Sequence, residues 1–290
     1  MDRPTMAHLT RSACLFLLTV LIMNSLIAVA LSQWAMQVHA AEDFPLHLVD
    51  GFGRNVTIAR IPERIVSLSP SNTEILWAID AGSKVVGVTR YCDYPPEVLA
   101  RVADGSLSVV GGFTDPNVEV IVSLQPDLVL ASSDLQIGIV SSLEDKGLTV
   151  FGMAPETIDD IVENVRLVGR MVGRSEAAER LAESMSTRID MIVGKTRKVA
   201  ETPRVYYEVW YDPLMSVGQG TYLNDLITLA GGANIFASSK APYPVVNSES
   251  VIDADPQIII VAKGYMGDEE EVRTKISERS GWGSIDAVRD

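Results

Sequence analysis

Residues 117–130 read Asn-Val-Glu-Val-Ile-Val-Ser-Leu-Gln-Pro-Asp-Leu-Val-Leu, and residues 247–260 repeat the pattern as Asn-Ser-Glu-Ser-Val-Ile-Asp-Ala-Asp-Pro-Gln-Ile-Ile-Ile. Asn, Glu and Pro match without a gap, and an apolar run follows the proline in both copies. Each copy predicts a short helix, a stop at the proline and a buried strand. An αβ unit that occurs twice, far apart in the chain, predicts two similar α/β lobes with a cleft between them.

The first copy lies in a region, residues 42–174, where strand-like apolar runs alternate with helical patterns. Arg64 to Leu68 predicts a strand, Ser71 to Glu74 predicts a capping box at the start of a helix, and Val85 to Val88 predicts the next strand. This alternation is typical of a parallel sheet covered by helices on both faces. We therefore predict an N-terminal α/β lobe over residues 42–174.

A single long helix is predicted over residues 175–200, which contain no proline and one late glycine, Gly194. Its apolar residues follow helical spacing, and its position between the two copies makes it the predicted connector of the lobes. A second α/β lobe is predicted over residues 203–290. In the first lobe 43 residues lie between Ala131 and Ser175, whereas only 28 residues follow Ala262 in the second. Residues 282–290 predict only the beginning of a further strand. The second lobe is therefore predicted to be smaller, or truncated.

The N-terminus has the pattern of a targeting segment. Residues 13–31 are almost wholly apolar, Arg3 and Arg11 precede them, and Val38-His39-Ala40 has the small-residue spacing of a signal-peptidase site. We predict that residues 1–40 are a signal peptide. An uncleaved N-terminal anchor is the alternative, because the stretch is long enough to span a bilayer. Both interpretations place the rest of the chain outside the cytoplasm.

Charge and composition exclude several classes of function. The formal net charge of −14 argues against a nucleic-acid partner, which requires a basic surface. The three histidines are His8 and His39 in the predicted signal and His47 at the start of the mature chain, so neither a histidine-dependent catalytic system nor a His-ligated metal centre is expected in the lobes. Cys92 is the only cysteine after Cys14, which leaves no intrachain disulfide and no cysteine cluster for zinc. We predict no metal site and no enzymatic cofactor.

Aromatic residues cluster where the predicted strands end, which is where open α/β sheets bind their ligands. Aromatics make up only 6% of the chain, so their concentration in these loops is informative. Aromatic rings and hydroxyls suit a large, flat, mostly apolar ligand edged with amides. The candidate ligand-binding residues are Tyr91, Tyr94, Phe113, Trp210, Tyr243 and Ser71.

Each copy of the repeat places a glutamate, Glu119 or Glu249, in the first turn of its helix. The helix macrodipole stabilises a carboxylate there, so each glutamate by itself is explained as a local cap. Their identical placement predicts more: two acidic contact points for the arginines of a two-fold symmetric partner.

Over about residues 60–265 the chain resembles the periplasmic cobalamin-binding proteins of BtuF type. The motifs that carry the resemblance are Ser69-Pro70-Ser71-Asn72-Thr73-Glu74, Tyr91-Cys92-Asp93-Tyr94-Pro95-Pro96, Pro126-Asp127-Leu128-Val129 and Pro242-Tyr243-Pro244. The broader family also contains haem and iron–siderophore binders. The resemblance implies two α/β lobes joined by a rigid helix, no enzymatic activity, and cobalamin or another metal chelate carried as transported ligand.

The resemblance also implies a partner and assigns roles to residues. Glu119 and Glu249 would dock on the membrane subunits of an ABC importer, with the binding protein acting as a monomer. Tyr91, Phe113 and Trp210 fall at or near the family's aromatic ligand contacts, and so does Tyr243. Phe113 stands where cobalamin binders have Trp, and Ser132-Ser133 replace a further Trp.

Two alternatives to a cobalamin binder remain at this point. Within the same family, the ligand is an iron–siderophore or haem, although the missing cleft histidines count against haem held by His. From a different class, the protein is a secreted carboxylate-dependent hydrolase that uses Asp93 with Glu208 or Asp212.

Overall fold

The computed structural model describes residues 44–262 and 268–289. The predicted signal peptide or anchor, residues 1–40, lies outside these ranges. The strands are β1 Leu46–Val49, β2 Asn55–Ile58, β3 Ile65–Ser67, β4 Val85–Val88, β5 Ser108–Val109, β6 Leu128–Ser132, β7 Val150–Met153, β8 Arg204–Glu208, β9 Trp210–Tyr211, β10 Leu214–Met215, β11 Ala233–Asn234 and β12 Ile258–Val261. The α-helices are α1 Pro70–Ala78, α2 Pro96–Ala103, α3 Val118–Ser123, α4 Ile137–Glu144, α5 Ile158–Val172, α6 Ser175–Thr196, α7 Tyr222–Leu229, α8 Ser248–Ala254, α9 Glu269–Ser277 and α10 Asp286–Arg289.

Two separate parallel sheets organise the described chain. The first has the strand order β5-β4-β3-β6-β7, and the second has the order β11-β8-β12. Each copy of the repeated stretch contributes one strand, β6 to the first sheet and β12 to the second. Because the two copies lie in different sheets, the predicted α/β fold with central parallel sheets is confirmed.

The two copies have the same local structure. Asn117 and Asn247 cap helices α3 and α8 with their side chains. After each helix, the chain turns at a residue in the left-handed region, Gln125 with a φ of 48° and Asp255 with a φ of 44°. These residues occupy equivalent positions of the repeat, so the turn that feeds each strand is built in the same way.

An arginine outside the repeated stretch extends this equivalence. Arg64, just before β3, donates from Nε to the carbonyl oxygen of Leu124 at 2.9 Å. Arg204, which begins β8, donates from Nε to the carbonyl oxygen of Ala254 at 3.0 Å. Leu124 and Ala254 are again equivalent, so in both halves an arginine on the neighbouring strand binds the end of the short helix. The duplication therefore covers more than the residues that match in sequence.

The first sheet is buried on both faces, as its continuous apolar strands predict. Along β6, Leu128 and Leu130 belong to the core cluster on one face, whereas Val129 and Ala131 belong to the cluster on the other. All four side chains are completely buried. In the described residues the second sheet has three strands against five in the first.

Helix α6 is the long helix predicted over residues 175–200, and it ends at Thr196. Its 22 residues span about 33 Å at 1.5 Å per residue. It packs closely on α5, where a Cβ at Gly169 would lie 2.2 Å from the Cβ of Ala178. At its other end, Thr196 Oγ1 donates to the carbonyl oxygen of Leu229 in α7, at 3.1 Å. The helix thus contacts elements that flank each of the two sheets.

The capping box predicted at Ser71 to Glu74 is wrong. Ser69 is the N-cap of α1, and its side chain accepts a hydrogen bond from the backbone N–H of Asn72. Pro70 occupies the first helical turn, where a residue without an N–H is best tolerated. The helix therefore starts two residues earlier, and Ser71 lies within it.

The strand predicted to begin in residues 282–290 is also wrong. A 3₁₀ turn covers Trp282–Ser284, and helix α10 follows it. The indole of Trp282 is fully buried, and its centre lies 5.9 Å from the ring centre of Tyr206 in an edge-to-face arrangement. Because this side chain packs against the second sheet, residues 282–284 form a turn instead of an extended strand.

Candidate ligand and docking sites

The loops that leave the two sheets at their carboxyl ends contact each other. The backbone N–H of Ile158, at the start of α5, donates to Oδ2 of Asp225 in the first turn of α7, at 2.8 Å. Helix α5 follows β7 of the first sheet, and α7 lies between β8 and β11 of the second. The carboxyl ends of parallel strands are where α/β proteins bind ligands, so residues on these loops are the candidates.

On the first sheet, Tyr91 and Tyr94 lie in the loop after β4, with 55% and 60% of their surfaces exposed. Phe113 is half-buried in the loop after β5. Arg90 links the two loops, since its guanidinium lies 5.8 Å from the Tyr91 ring centre and 3.2 Å from Oδ2 of Asp115. This ion pair is exposed and stabilises the fold little. It does hold the two aromatic loops next to each other.

Ser71 is exposed in the first turn of α1, and its hydroxyl lies 3.1 Å from that of Ser69. Glu74 is three residues further along the same helix. Partial burial, and secondly the negative charge of Asp93, raise the pKa of Glu74 above its ordinary value. The loop that carries Tyr91 and Tyr94 therefore approaches the start of α1, which places Ser71 on the same side of the sheet.

On the second sheet, Trp210 and Tyr211 form strand β9 of a short hairpin directly after β8. Their rings stack with centres 5.6 Å apart, and about half of each side chain is exposed. The indole N–H of Trp210 donates to the carbonyl oxygen of Asp212 at 2.9 Å, which fixes the ring. The pair presents a flat aromatic surface to solvent.

Tyr243 belongs to a group of three tyrosines on the second half of the chain. Partial burial raises its pKa, and the neighbouring phenols of Tyr222 and Tyr207 raise it further. The pKa of Tyr207 is raised by burial and by Tyr222. With raised pKa values, the phenols of Tyr207 and Tyr243 are protonated hydroxyls rather than phenolates at neutral pH.

Several residues near the candidate site were not predicted from the sequence. Leu135 and Ile137 follow β6 and are 70% and 46% exposed, which is unusual for apolar side chains of this size. Their position just after a predicted strand was the available signal. Tyr207 and Tyr222 lie in a strand and in a helix, and nothing in their spacing predicts that they approach Tyr243.

Glu119 and Glu249 are both exposed in the first turns of α3 and α8. Within the part of the chain that the structure describes, neither forms an ion pair. Glu249 also borders a cavity of about 400 Å³. The other residues that line this cavity are Tyr211, Leu214, Ser248, Ile252, Arg279 and Ser280.

Glu208, a candidate of the hydrolase hypothesis, is fully buried. Arg279 donates two hydrogen bonds to its carboxylate, at 2.6 and 2.8 Å, and the hydroxyl of Tyr206 lies 3.2 Å from it. A carboxylate held in this way cannot act as a base or nucleophile towards a ligand. Glu208 and Arg279 form a structural ion pair that ties α9 and the following turn to the second sheet.

In residues 44–262 and 268–289, no three His, Cys, Asp or Glu side chains are arranged to hold a metal ion. Among the helices of these same ranges, none is long and apolar enough to cross a membrane.

Residues 65–290 match the model of a family described as periplasmic binding protein. The chain belongs to this family. A cobalamin-binding protein of Halobacterium salinarum is 31% identical over 262 residues, which cover 87% of this chain and 69% of the relative. The crystal structure of the periplasmic vitamin B12-binding protein BtuF of Vibrio cholerae has a TM-score of 0.68 at 29% identity, covering 79% of this chain and 85% of that one. The periplasmic haem-binding protein RhuT from Roseiflexus sp., in its apo form, has a TM-score of 0.68 at 27% identity, covering 78% and 86%.

Membership of the family decides several predictions. Its members are extracytoplasmic solute-binding proteins that carry their ligands as cargo, so the predicted non-enzymatic function, the location outside the cytoplasm and the absence of an enzymatic cofactor are confirmed. The hydrolase hypothesis is wrong, in agreement with the buried ion pair of Glu208. This chain is therefore a substrate-binding protein of the ABC transporter class.

Proposed function

We propose that this protein binds cobalamin or a related corrinoid and delivers it to the membrane subunits of an ABC importer. The observation that carries the proposal is the set of exposed aromatic residues on the strand-end loops of both sheets, Tyr91 and Tyr94 on one and Trp210 and Tyr243 on the other. A corrinoid is a broad, flat ring system with an amide-bearing rim. Aromatic faces stack on such a ring, and phenol hydroxyls bond its amides.

Two features favour a corrinoid over haem. Haem iron is held in proteins through a His, Cys, Met or Tyr side chain. No histidine follows His47 in the sequence, and the thiol of Cys92 is buried in the first half of the chain. A corrinoid makes no such demand on the protein, because its rim binds through neutral hydrogen bonds.

An anionic iron–siderophore would call for free arginines in the site, because guanidinium groups bind carboxylates and catecholates best. Arg90, whose guanidinium lies 5.8 Å from the ring centre of Tyr91, is engaged with Asp115. The net charge of −14 also repels an anionic ligand over longer distances. The charge pattern thus supports a neutral, amide-rich ligand.

A comparison of the binding of three ligands tests the proposal. Titration calorimetry of residues 41–290 with cyanocobalamin, with haem and with a ferric hydroxamate siderophore should give binding heat for the corrinoid and much weaker or no heat for the other two. Quenching of tryptophan fluorescence should follow the same order, since Trp210 is exposed beside the proposed ligand. Tighter binding of haem or of the siderophore would replace cobalamin as the ligand.

We further infer that Glu119 and Glu249 are the contact points for the importer. Three features support this: both are exposed, they stand at equivalent positions of a duplicated structure, and neither forms an ion pair within the described residues. The helix macrodipole stabilises a carboxylate in the first turn, and an exposed carboxylate can accept the hydrogen bonds of a partner's arginine. The cavity beside Glu249 offers room for such a side chain.

A further inference from the structure

Gln136 is a completely buried amide at the carboxyl edge of the first sheet, outside the set of candidate ligand residues. It ends the 3₁₀ turn Asp134–Gln136, which follows β6. Ser133 opens this turn with a φ of 71°, in the left-handed region, and its carbonyl accepts the backbone N–H of Gln136 at 3.0 Å. The reversal of the chain at Ser133 directs the side chain of Gln136 back towards the ends of the strands.

Each polar atom of the Gln136 side chain has a backbone partner. Oε1 accepts a hydrogen bond from the N–H of Ser132 at 2.8 Å, and Nε2 donates to the carbonyl oxygens of Leu68 at 2.9 Å and Phe113 at 2.8 Å. A backbone N–H can only donate and a carbonyl can only accept, so these partners fix which end of the amide carries the nitrogen. The group is fully satisfied in a buried setting, where its loss is costly.

The three partners lie at or just after the carboxyl ends of three different strands, β3, β5 and β6. Leu68 immediately precedes Ser69–Ser71, Phe113 is a candidate ligand contact itself, and Ser132 leads into the turn flanked by exposed apolar side chains. The sheet order β5-β4-β3-β6 keeps β5 from pairing directly with β3 or β6. The ladder hydrogen bonds therefore do not link the Phe113 loop to the other two, whereas the amide of Gln136 does.

We propose that Gln136 is the positioning residue that sets the spacing of the three ligand-facing loops on the first sheet before the ligand arrives. The inference rests on the proposed function, since it takes these loops to contact the ligand. Loops held in their bound arrangement lose little conformational entropy on binding. Without the amide, the loop that carries Phe113 loses its hydrogen-bonded link to the ends of β3 and β6, which stay joined by the bond from the N–H of Leu68 to the carbonyl oxygen of Leu130 at 2.9 Å, and a bound ligand dissociates faster.

The direct test is Gln136→Met, which keeps the length and approximate volume of the side chain but removes all three hydrogen bonds. Cobalamin affinity measured by calorimetry should fall at least tenfold, and stopped-flow fluorescence should assign most of the change to a faster dissociation rate. A purely structural role would lower the melting temperature and leave the dissociation rate of the folded protein unchanged. A folded variant with an affinity within twofold of the unaltered protein would overturn the proposal.

Gln257→Met is the matched control. Gln257 is an exposed glutamine that also bonds the backbone, since its Oε1 accepts the N–H of Arg204 at 3.0 Å. It lies at the amino-terminal ends of β8 and β12, the edge of the second sheet opposite the proposed ligand site. Its replacement should leave cobalamin affinity within twofold. If Gln136→Met fails to fold, Gln136→Glu replaces it, since the isosteric carboxylate keeps the bond from Ser132 but cannot hold both carbonyl oxygens.

Hydrogen exchange separates failure of this proposal from failure of the proposed function. In Gln136→Met without ligand, exchange of the Ser132 amide and of the loop around Phe113 should accelerate, while residues 204–208 of β8 stay as protected as before. Unchanged exchange in the two loops would refute the positioning role, whatever the ligand. If the unaltered protein binds no corrinoid but the loops exchange as expected, the ligand assignment fails and the role of Gln136 stands.

Discussion

Trp210 tests the ligand site at the scale of one residue. Its ring is 47% exposed, stacked on Tyr211 and fixed by a hydrogen bond to the carbonyl of Asp212. Such a preset aromatic face contributes stacking at little entropic cost. Trp210→Ala should weaken cobalamin binding about tenfold, or roughly 1.4 kcal/mol, in titration calorimetry. Trp210→Phe keeps a ring and should lose less, and unchanged affinity in both variants would remove Trp210 from the site.

Glu208 offers a second residue-scale prediction, on stability. Replacing it by Gln removes the buried carboxylate from its pair with Arg279, whose side chain is only 18% exposed. Breaking a buried pair in this way costs about 3–5 kcal/mol, so the free energy of unfolding in urea should fall by that amount. Glu179→Gln is the comparison, because its pair with Arg166 is half exposed and should cost less than about 1 kcal/mol. Equal losses in the two variants would contradict the structural role of the Glu208 pair.

Part of the candidate site could be predicted from the sequence for a physical reason. Tyr91 and Tyr243 lie after recognisable strands or beside prolines, so local signals mark their loops. Tyr207 and Tyr222 belong to β8 and α7, and their approach to Tyr243 depends on how those elements pack. Gln136 was missed because its role arises from three backbone groups that are distant in sequence.

At the scale of elements, the hairpin β1–β2 is attached to the first sheet through Asp50. The side chain of Asp50 accepts hydrogen bonds from Arg54 Nε at 3.0 Å and from the backbone N–H of Gly152, on β7, at 3.0 Å. Burial alone would raise the pKa of Asp50, but these hydrogen bonds outweigh it and hold the pKa below its ordinary value of 3.8. The carboxylate therefore stabilises the fold above that pH, and the contribution disappears as the pH falls through the lowered pKa.

Asp50→Asn should accordingly lower the free energy of unfolding by about 2 kcal/mol at pH 7, because hydrogen bonds to a buried charge are lost. The difference from the unaltered protein should shrink as the pH is lowered towards 3, in urea titrations that follow circular dichroism. Asp104→Asn, at an exposed carboxylate that bonds Ser106, should change stability little at either pH. A pH-independent loss for Asp50→Asn would refute the electrostatic explanation.

The repeated elements were the most predictable part of the fold. In each copy, the capping asparagine, the proline and the apolar run predict one short helix and one strand. These signals act within a few residues, and they give α3 and β6 in the first copy and α8 and β12 in the second. The start of α1 was misplaced because two serines compete for the cap, and Pro70 decides between them. The segment at Trp282 was mistaken for a strand because its conformation depends on a long-range contact with Tyr206.

At the scale of the whole molecule, the double variant Glu119→Ala/Glu249→Ala tests docking. Both side chains are exposed and bond to nothing described in the fold, so folding and cobalamin affinity should be unchanged. Binding to the importer's membrane subunits in nanodiscs should weaken at least tenfold, because two guanidinium–carboxylate contacts are lost. The effect should be largest at low ionic strength.

The matched control for docking is Glu97→Ala/Glu176→Ala. These glutamates are also exposed in the first turns of their helices, α2 and α6, but they lie outside the repeated stretch. The control removes the same charge and should bind the importer as the unaltered protein does. If both pairs weaken binding equally, general electrostatic attraction rather than Glu119 and Glu249 accounts for docking.

The matching short helices of the two halves also bear on the kinetics of encounter. A partner with a two-fold axis would meet an equivalent glutamate, Glu119 or Glu249, in either of two orientations related by a half-turn. Both orientations would therefore lead to a docked complex. Two equivalent orientations favour the binding free energy by RT ln 2, about 0.4 kcal/mol, without any added contact. The repetition would thus raise the frequency of delivery as well as build the fold.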